Sequence, residues 1–88
     1  MATLERNRVI RPSTRDAASS YKVDCKKVTA NDKLIINITH ESDSSINFRY
    51  EISGREISGK NSLHFDATKA GTNWLINWHG DPKPRRVI

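Results

Sequence analysis

The chain has 88 residues and a mass of 10.0 kDa, room for one small domain and too little for a multidomain enzyme. Apolar residues make up 35%, or about 40% with the four glycines, below the ~45–50% usual for globular domains. No stretch approaches the roughly 20 apolar residues of a membrane-spanning helix, and a chain this short buries only about 60–65% of its unfolded surface, which argues against a deep substrate cavity.

The formal net charge is +5, and the whole excess lies at the two ends. Residues 1–15 hold Arg6, Arg8, Arg11 and Arg15 against Glu5, and residues 81–88 hold Lys83, Arg85 and Arg86 against Asp81. Residues 16–80 balance eight bases with eight acids, so the body is neutral. A basic groove across a folded surface would need bases clustered in mid-chain. We therefore expect an extended basic N-terminal arm over residues 1–19, a β-sandwich over 20–80 and a Pro/Arg-containing tail over 81–88. Residues 1–15 have no apolar h-region behind their charges, so no secretory signal is recognised, and a cytoplasmic or virion location is expected. Cys25 is the single cysteine, which excludes an internal disulfide framework. Asn37-Ile38-Thr39 matches a glycosylation acceptor, which carries no weight without a secretory signal.

In chain order, residues 1–20 lack sustained periodicity. Pro12 holds its predecessor extended, and Ser13 with Asp16 could open one helical turn. Alternation begins at Tyr21, where Tyr21, Val23 and Cys25 point one way and Lys22, Asp24 and Lys26 the other, the mark of a half-buried strand. Asn31-Asp32 signals a turn. Residues 33–40 form the strongest strand, with Leu34, Ile36 and Ile38 alternating, and the extra Ile35 predicts a central strand or one covered on both faces. A polar loop over 41–45 precedes a faultless alternation of Ile46, Phe48, Tyr50 and Ile52. Residues 53–56 read as a hairpin-like turn and 57–59 as a short strand. Leu63 and Phe65 alternate with Ser62, His64 and Asp66, residues 67–72 turn the chain, and residues 73–79 set Trp74, Ile76 and Trp78 on one face. Gly80-Asp81-Pro82 stops this last strand, and Pro82 and Pro84 keep the tail extended.

Five to six short strands at spacings of about ten residues, with no amphipathic helix, predict an all-β fold. The expected architecture is a small antiparallel β-sandwich, jelly-roll-like or Ig-like, with its core on one face of each strand. At about sixty residues that core is marginal, and association with a partner would add burial.

The run Ser62-Leu63-His64-Phe65-Asp66-Ala67-Thr68-Lys69-Ala70-Gly71-Thr72-Asn73-Trp74-Leu75-Ile76 resembles a strand–turn–strand of pre-peptidase C-terminal-like domains, small bacterial β-sandwiches. Asp32-Lys33-Leu34-Ile35-Ile36 resembles the opening strand of that pattern, so the likeness covers residues 32–80. It implies a jelly-roll-like sandwich. The chain departs from the family in having no acidic calcium-binding run, and neither its signal peptide nor its attached enzyme is expected here.

Chemistry-bearing groups are sparse. His40, Glu41 and Asp43 fall in a strand-to-loop transition rather than at zinc-ligand spacing, so they read as a solvated loop and no metal or cofactor is expected. Cys25 alternates with Val23 and Tyr21 and reads as a small buried hydrophobe. His64 and His79 oppose Phe65 and Trp78 and read as exposed. No glycine loop cradles a phosphate, and no carboxylate pair is set apart for acid–base work, so no enzymatic activity is expected. Trp74 and Trp78, four residues apart on a strand, share a face. They are either core or an exposed platform for sugars or bases.

The reading that results is a non-enzymatic structural or binding protein. It docks through its arms (Arg6, Arg8, Arg11, Arg15, Lys83, Arg85 and Arg86) and sheet edges onto a larger protein assembly, as a phage virion accessory of the decoration or connector kind would, or associates with itself. The alternatives are a carbohydrate-binding or adhesion module using Trp74 and Trp78, and nucleic-acid binding through the basic arms.

Overall fold

A computed structural model of the chain describes residues 4–12, 19–40, 47–71 and 73–87. In chain order these form β1 (Leu4–Ile10), β2 (Ser19–Asp24), β3 (Asp32–Thr39), β4 (Asn47–Ser53), the helical turn α1 (Gly54–Ile57), β5 (Ser62–Ala70), β6 (Asn73–His79) and β7 (Arg85–Arg86). Two sheets result, ordered β1-β3-β4-β7 and β2-β5-β6. The all-β sandwich expected from the alternation is present, with seven strands among the described residues instead of five or six. The additions are β1 and β7, which come from the segments read as arms.

All pairings are antiparallel except β1 with β3, which run parallel from Leu4↔Asp32 to Ile10↔Ile38. The core forms where the apolar rows of the two sheets meet. Leu34, Ile36 and Ile38 of β3 and Tyr50 and Ile52 of β4 face Val23, Leu63, Phe65, Ala67, Trp74 and Trp78 of the other sheet, all buried. A relay of rings stitches the layers: Tyr21 stacks on Phe65 at 5.3 Å, Phe65 meets Trp78 at 4.7 Å, and Trp78 meets Tyr50 edge-on at 5.4 Å. Offset and edge-on contacts of this kind suit the ring quadrupole. Ile35 lies on the other face of β3, outside this cluster, and is 1% exposed between the flanking strands β1 and β4.

Two local expectations are corrected. Residues 57–59 are not a strand, because the chain coils at Gly54. Ser53 accepts from the Arg55 N–H at 3.2 Å to cap the turn, and Ile57 drops fully buried into the core. A Cβ on Gly54 would lie 1.9 Å from the Thr29 carbonyl oxygen, so only glycine lets the turn pack there. The turn expected over 67–72 is also shorter. Buried Ala67 continues the Leu63–Phe65 alternation, the ladder runs on to Ala70↔Asn73, and Gly71 takes φ +64° at the hairpin tip. The helical turn considered at Ser13 and Asp16, the loop over 41–45 and Ile46 lie outside the described residues.

Candidate functional site: charged sheet borders and a polar outer face

The terminal segments expected to extend as arms are instead the two borders of one sheet. Leu4–Ile10 pairs with β3 and Arg85–Arg86 with β4, so the basic excess brackets the four-stranded sheet from both sides. Parity explains why residues 4–10 show no apolar alternation. The residues of β1 that share the core-facing side with Leu34, Ile36 and Ile38 are Arg6, Arg8 and Ile10, so the apolar alternation is broken by two arginines. Across the sheet one row reads Arg8, Ile36, Tyr50, Arg86, with an arginine at each end of an apolar pair. Buried prolines fix both segments: Pro12 just after β1 and Pro84 just before β7.

The seven terminal bases fare differently. Arg6 is spent internally, its Nε donating to Asp32 Oδ2 at 2.9 Å, while the same oxygen accepts the Thr29 N–H at 2.9 Å. These two donors, Thr29 first, hold the Asp32 carboxyl below its ordinary value, against the effect of burial. Arg8 is exposed. Arg11 and Arg85 are exposed and make no ion pair among the described residues. Arg86 lies over the Phe48 ring, 4.4 Å from its centroid, a cation–π contact. Lys83 approaches Asp81 at 3.6 Å with both side chains largely in water. Arg15 lies outside the described residues. The N- and C-terminal bases do not meet in one patch, because three inter-strand gaps of about 4.8 Å separate β1 from β7.

Trp74 and Trp78 are 5% and 8% exposed and pack into the core, which leaves no ring face for a sugar or a base. The platform reading is corrected: both indoles share the inner side of β6 with Ile76, and the opposite sheet covers that side. His40 packs its ring against Trp74 at 5.1 Å, whereas Glu41 and Asp43 lie outside the described residues. No group of three potential metal ligands occurs among the described residues. Cys25 is buried, its thiol directed at the Val23 carbonyl at 3.5 Å, and burial pushes its pKa up, away from the reactive thiolate.

One polar constellation escaped the sequence reading. On the outer face of the three-stranded sheet, the Ser20 hydroxyl donates to Asp66 Oδ1 at 2.7 Å and His79 Nε2 lies 2.9 Å from Asp66 Oδ2. His64 stands directly opposite His79 and contacts the Ser62 hydroxyl at 3.1 Å. All five are outward positions of their strands, a parity visible in the sequence, but the register that gathers them is not. Serine, aspartate and histidine are in contact here in the wrong order for nucleophilic catalysis. The Ser20 proton points to the carboxylate, not to the imidazole, and Asp66 is held below its ordinary pKa first by Ser20 and then by His79. A carboxylate so stabilised is a poor base, so the cluster ties β2, β5 and β6 together across their polar side.

Comparison with protein-family models, curated protein sequences and solved structures finds no match.

Proposed function

We propose that the chain is a non-enzymatic binding module that docks onto a larger protein assembly through the charged borders of its four-stranded sheet. The observation that carries this is the placement of the charge. A neutral two-sheet body is bracketed by β1 and β7, and Arg8, Arg11 and Arg85 remain solvent-facing beside those borders. Inward-pointing charges on an edge strand discourage promiscuous strand addition, so contact at β1 runs through side chains rather than through new backbone pairing. Guanidinium groups held on strands (Arg8 and Arg85) or directly beside one (Arg11) lose less freedom when they meet carboxylates, which suits an acidic protein surface. A phage virion accessory of the decoration or connector kind is the setting we favour for a small β body with basic segments at its sheet borders. The resemblance read for residues 32–80 to pre-peptidase C-terminal-like sandwiches would concern architecture alone and adds nothing to the choice of partner.

Affinity capture with nuclease-treated extract tests the proposal, comparing the wild-type chain with the triple variant Arg8→Glu, Arg11→Glu, Arg85→Glu after both are shown to melt alike. The expected result is a defined protein retained by the wild type and lost by the variant. Equal capture by the two chains, or capture by neither, overturns the proposal. Nucleic-acid binding through the same arginines would instead show affinity for DNA falling with salt, by about 0.9 in log–log slope for each phosphate neutralised.

A further inference from the structure

We propose that β6 is a homotypic docking edge, through which two copies of this chain join by antiparallel pairing of Asn73–His79 with itself about a two-fold axis at Ile76. This goes beyond the function proposed above, which concerns the borders of the other sheet, and it stands or falls separately.

The four sheet borders are not alike. β1 carries Arg6 and the exposed Arg8 on the side of the sheet that bears the core row, β2 carries exposed Lys22 and Asp24, and β7 is two residues long. Each is blunted as natural edge strands are. β6 is not. Its seven residues, NWLINWH, include no Asp, Glu, Lys, Arg, Pro or Gly, and its ladder to β5 runs from Ala70↔Asn73 to His64↔His79 without a bulge. Its other side pairs with no strand among the described residues. Leu75, on the outward face, is 58% exposed, above every other large hydrophobic residue described, and Ile76 on the inward face is only partly buried against the core. A long, straight, uncharged edge with a bare leucine is a template for another strand.

The occupant that fits is a second copy, because the strand is complementary to itself. With Ile76 on the axis, Trp74 falls opposite Trp78 and Leu75 opposite Asn77, so inward residues meet inward and outward meet outward. The apolar inner layer would continue through Trp74, Ile76 and Trp78 of both copies into one six-stranded sheet, burying more of Ile76 and covering one flank of Leu75. No like charges confront each other. The same operation on β1, centred at Asn7, would set Arg6 against Arg8 of the other copy, so self-pairing is disfavoured there and permitted at β6. An isologous contact of this kind closes at two copies and leaves no free β6 edge to propagate.

Sedimentation equilibrium on three full-length proteins tests both the edge and its register. The wild type should weigh twice the chain mass of 10.0 kDa. Leu75→Lys with Asn77→Lys places two pairs of like charges across the axis and should weaken the dimer by roughly tenfold or more. Leu75→Lys with Asn77→Glu places two pairs of opposite charges there and should restore it. Both variants alter outward positions, and a thermal melt like that of the wild type confirms that they fold. A wild type that stays monomeric up to about 1 mM overturns the proposal. So does a dimer indifferent to the lysine pair, or one lost in both variants alike. A monomeric wild type that still captures its partner through Arg8, Arg11 and Arg85 would dismiss the β6 edge and leave the docking function standing.

Discussion

Gly54 shows how one missing side chain positions a whole turn. The Thr29 and Asp32 carbonyl oxygens would lie 1.9 and 2.6 Å from any Cβ placed there, and both belong to backbone that cannot swing aside. Gly54→Ala should therefore destabilise the fold by about 3 kcal/mol, measured by urea denaturation, with Ile57 displaced from the core. Asp32 makes a pH-dependent contribution whose sign follows from its partners. Thr29 and Arg6 favour the carboxylate, so the folded value lies below the ordinary 3.8 and the unfolded chain binds more protons between the two. The stabilisation is complete above 3.8 and fades as pH falls through the folded value. Urea midpoints of Asp32→Asn, measured from about pH 6 down to pH 2, should decline less on acidification than those of the wild type. Trp78 touches both Phe65 and Tyr50, so Trp78→Ala removes the link between the layers and should cost about 3–5 kcal/mol. In the wild type, tryptophan emission should be that of buried indole and should not respond to sugars.

Elements were legible in the sequence where one face alone carries the core. β3, β4 and β6 announce themselves through Leu34-Ile36-Ile38, Phe48-Tyr50-Ile52 and Trp74-Ile76-Trp78, because burial on one side writes a period of two into the chain. β1 could not be read this way. Its inward positions are Arg6 and Arg8, and its partner is a parallel strand nearly thirty residues away, so neither alternation nor a hairpin turn marks it. β7 is too short to carry any pattern, and α1 depends on a close backbone approach that only the folded chain creates. The Ser20–Asp66–His79 cluster was hidden for a related reason, since strand parity can be read but the register between strands cannot. Deleting residues 1–10 removes a structural strand and bares the edge of β3, so the shortened chain should lose its cooperative thermal transition or aggregate. A shortened chain that melts at an unchanged temperature would refute the placement of β1.

Across the whole molecule, the +5 charge has no counterpart in the neutral middle of the chain. The fold converts a one-dimensional asymmetry into a spatial one, with arginines along both borders of one sheet and an uncharged border on the other. The two sheets thus offer different contacts: charged side chains at β1 and β7, and bare backbone at β6. Everything in this division rests on the basic termini being folded borders. Hydrogen exchange followed by mass spectrometry tests it most directly. If β1 is paired to β3, peptides spanning residues 4–10 should retain slow amides, with protection approaching that of residues 32–39, since the two strands share one ladder. Residues 4–10 exchanging completely at the earliest time point, as an unpaired tail does, would contradict the account.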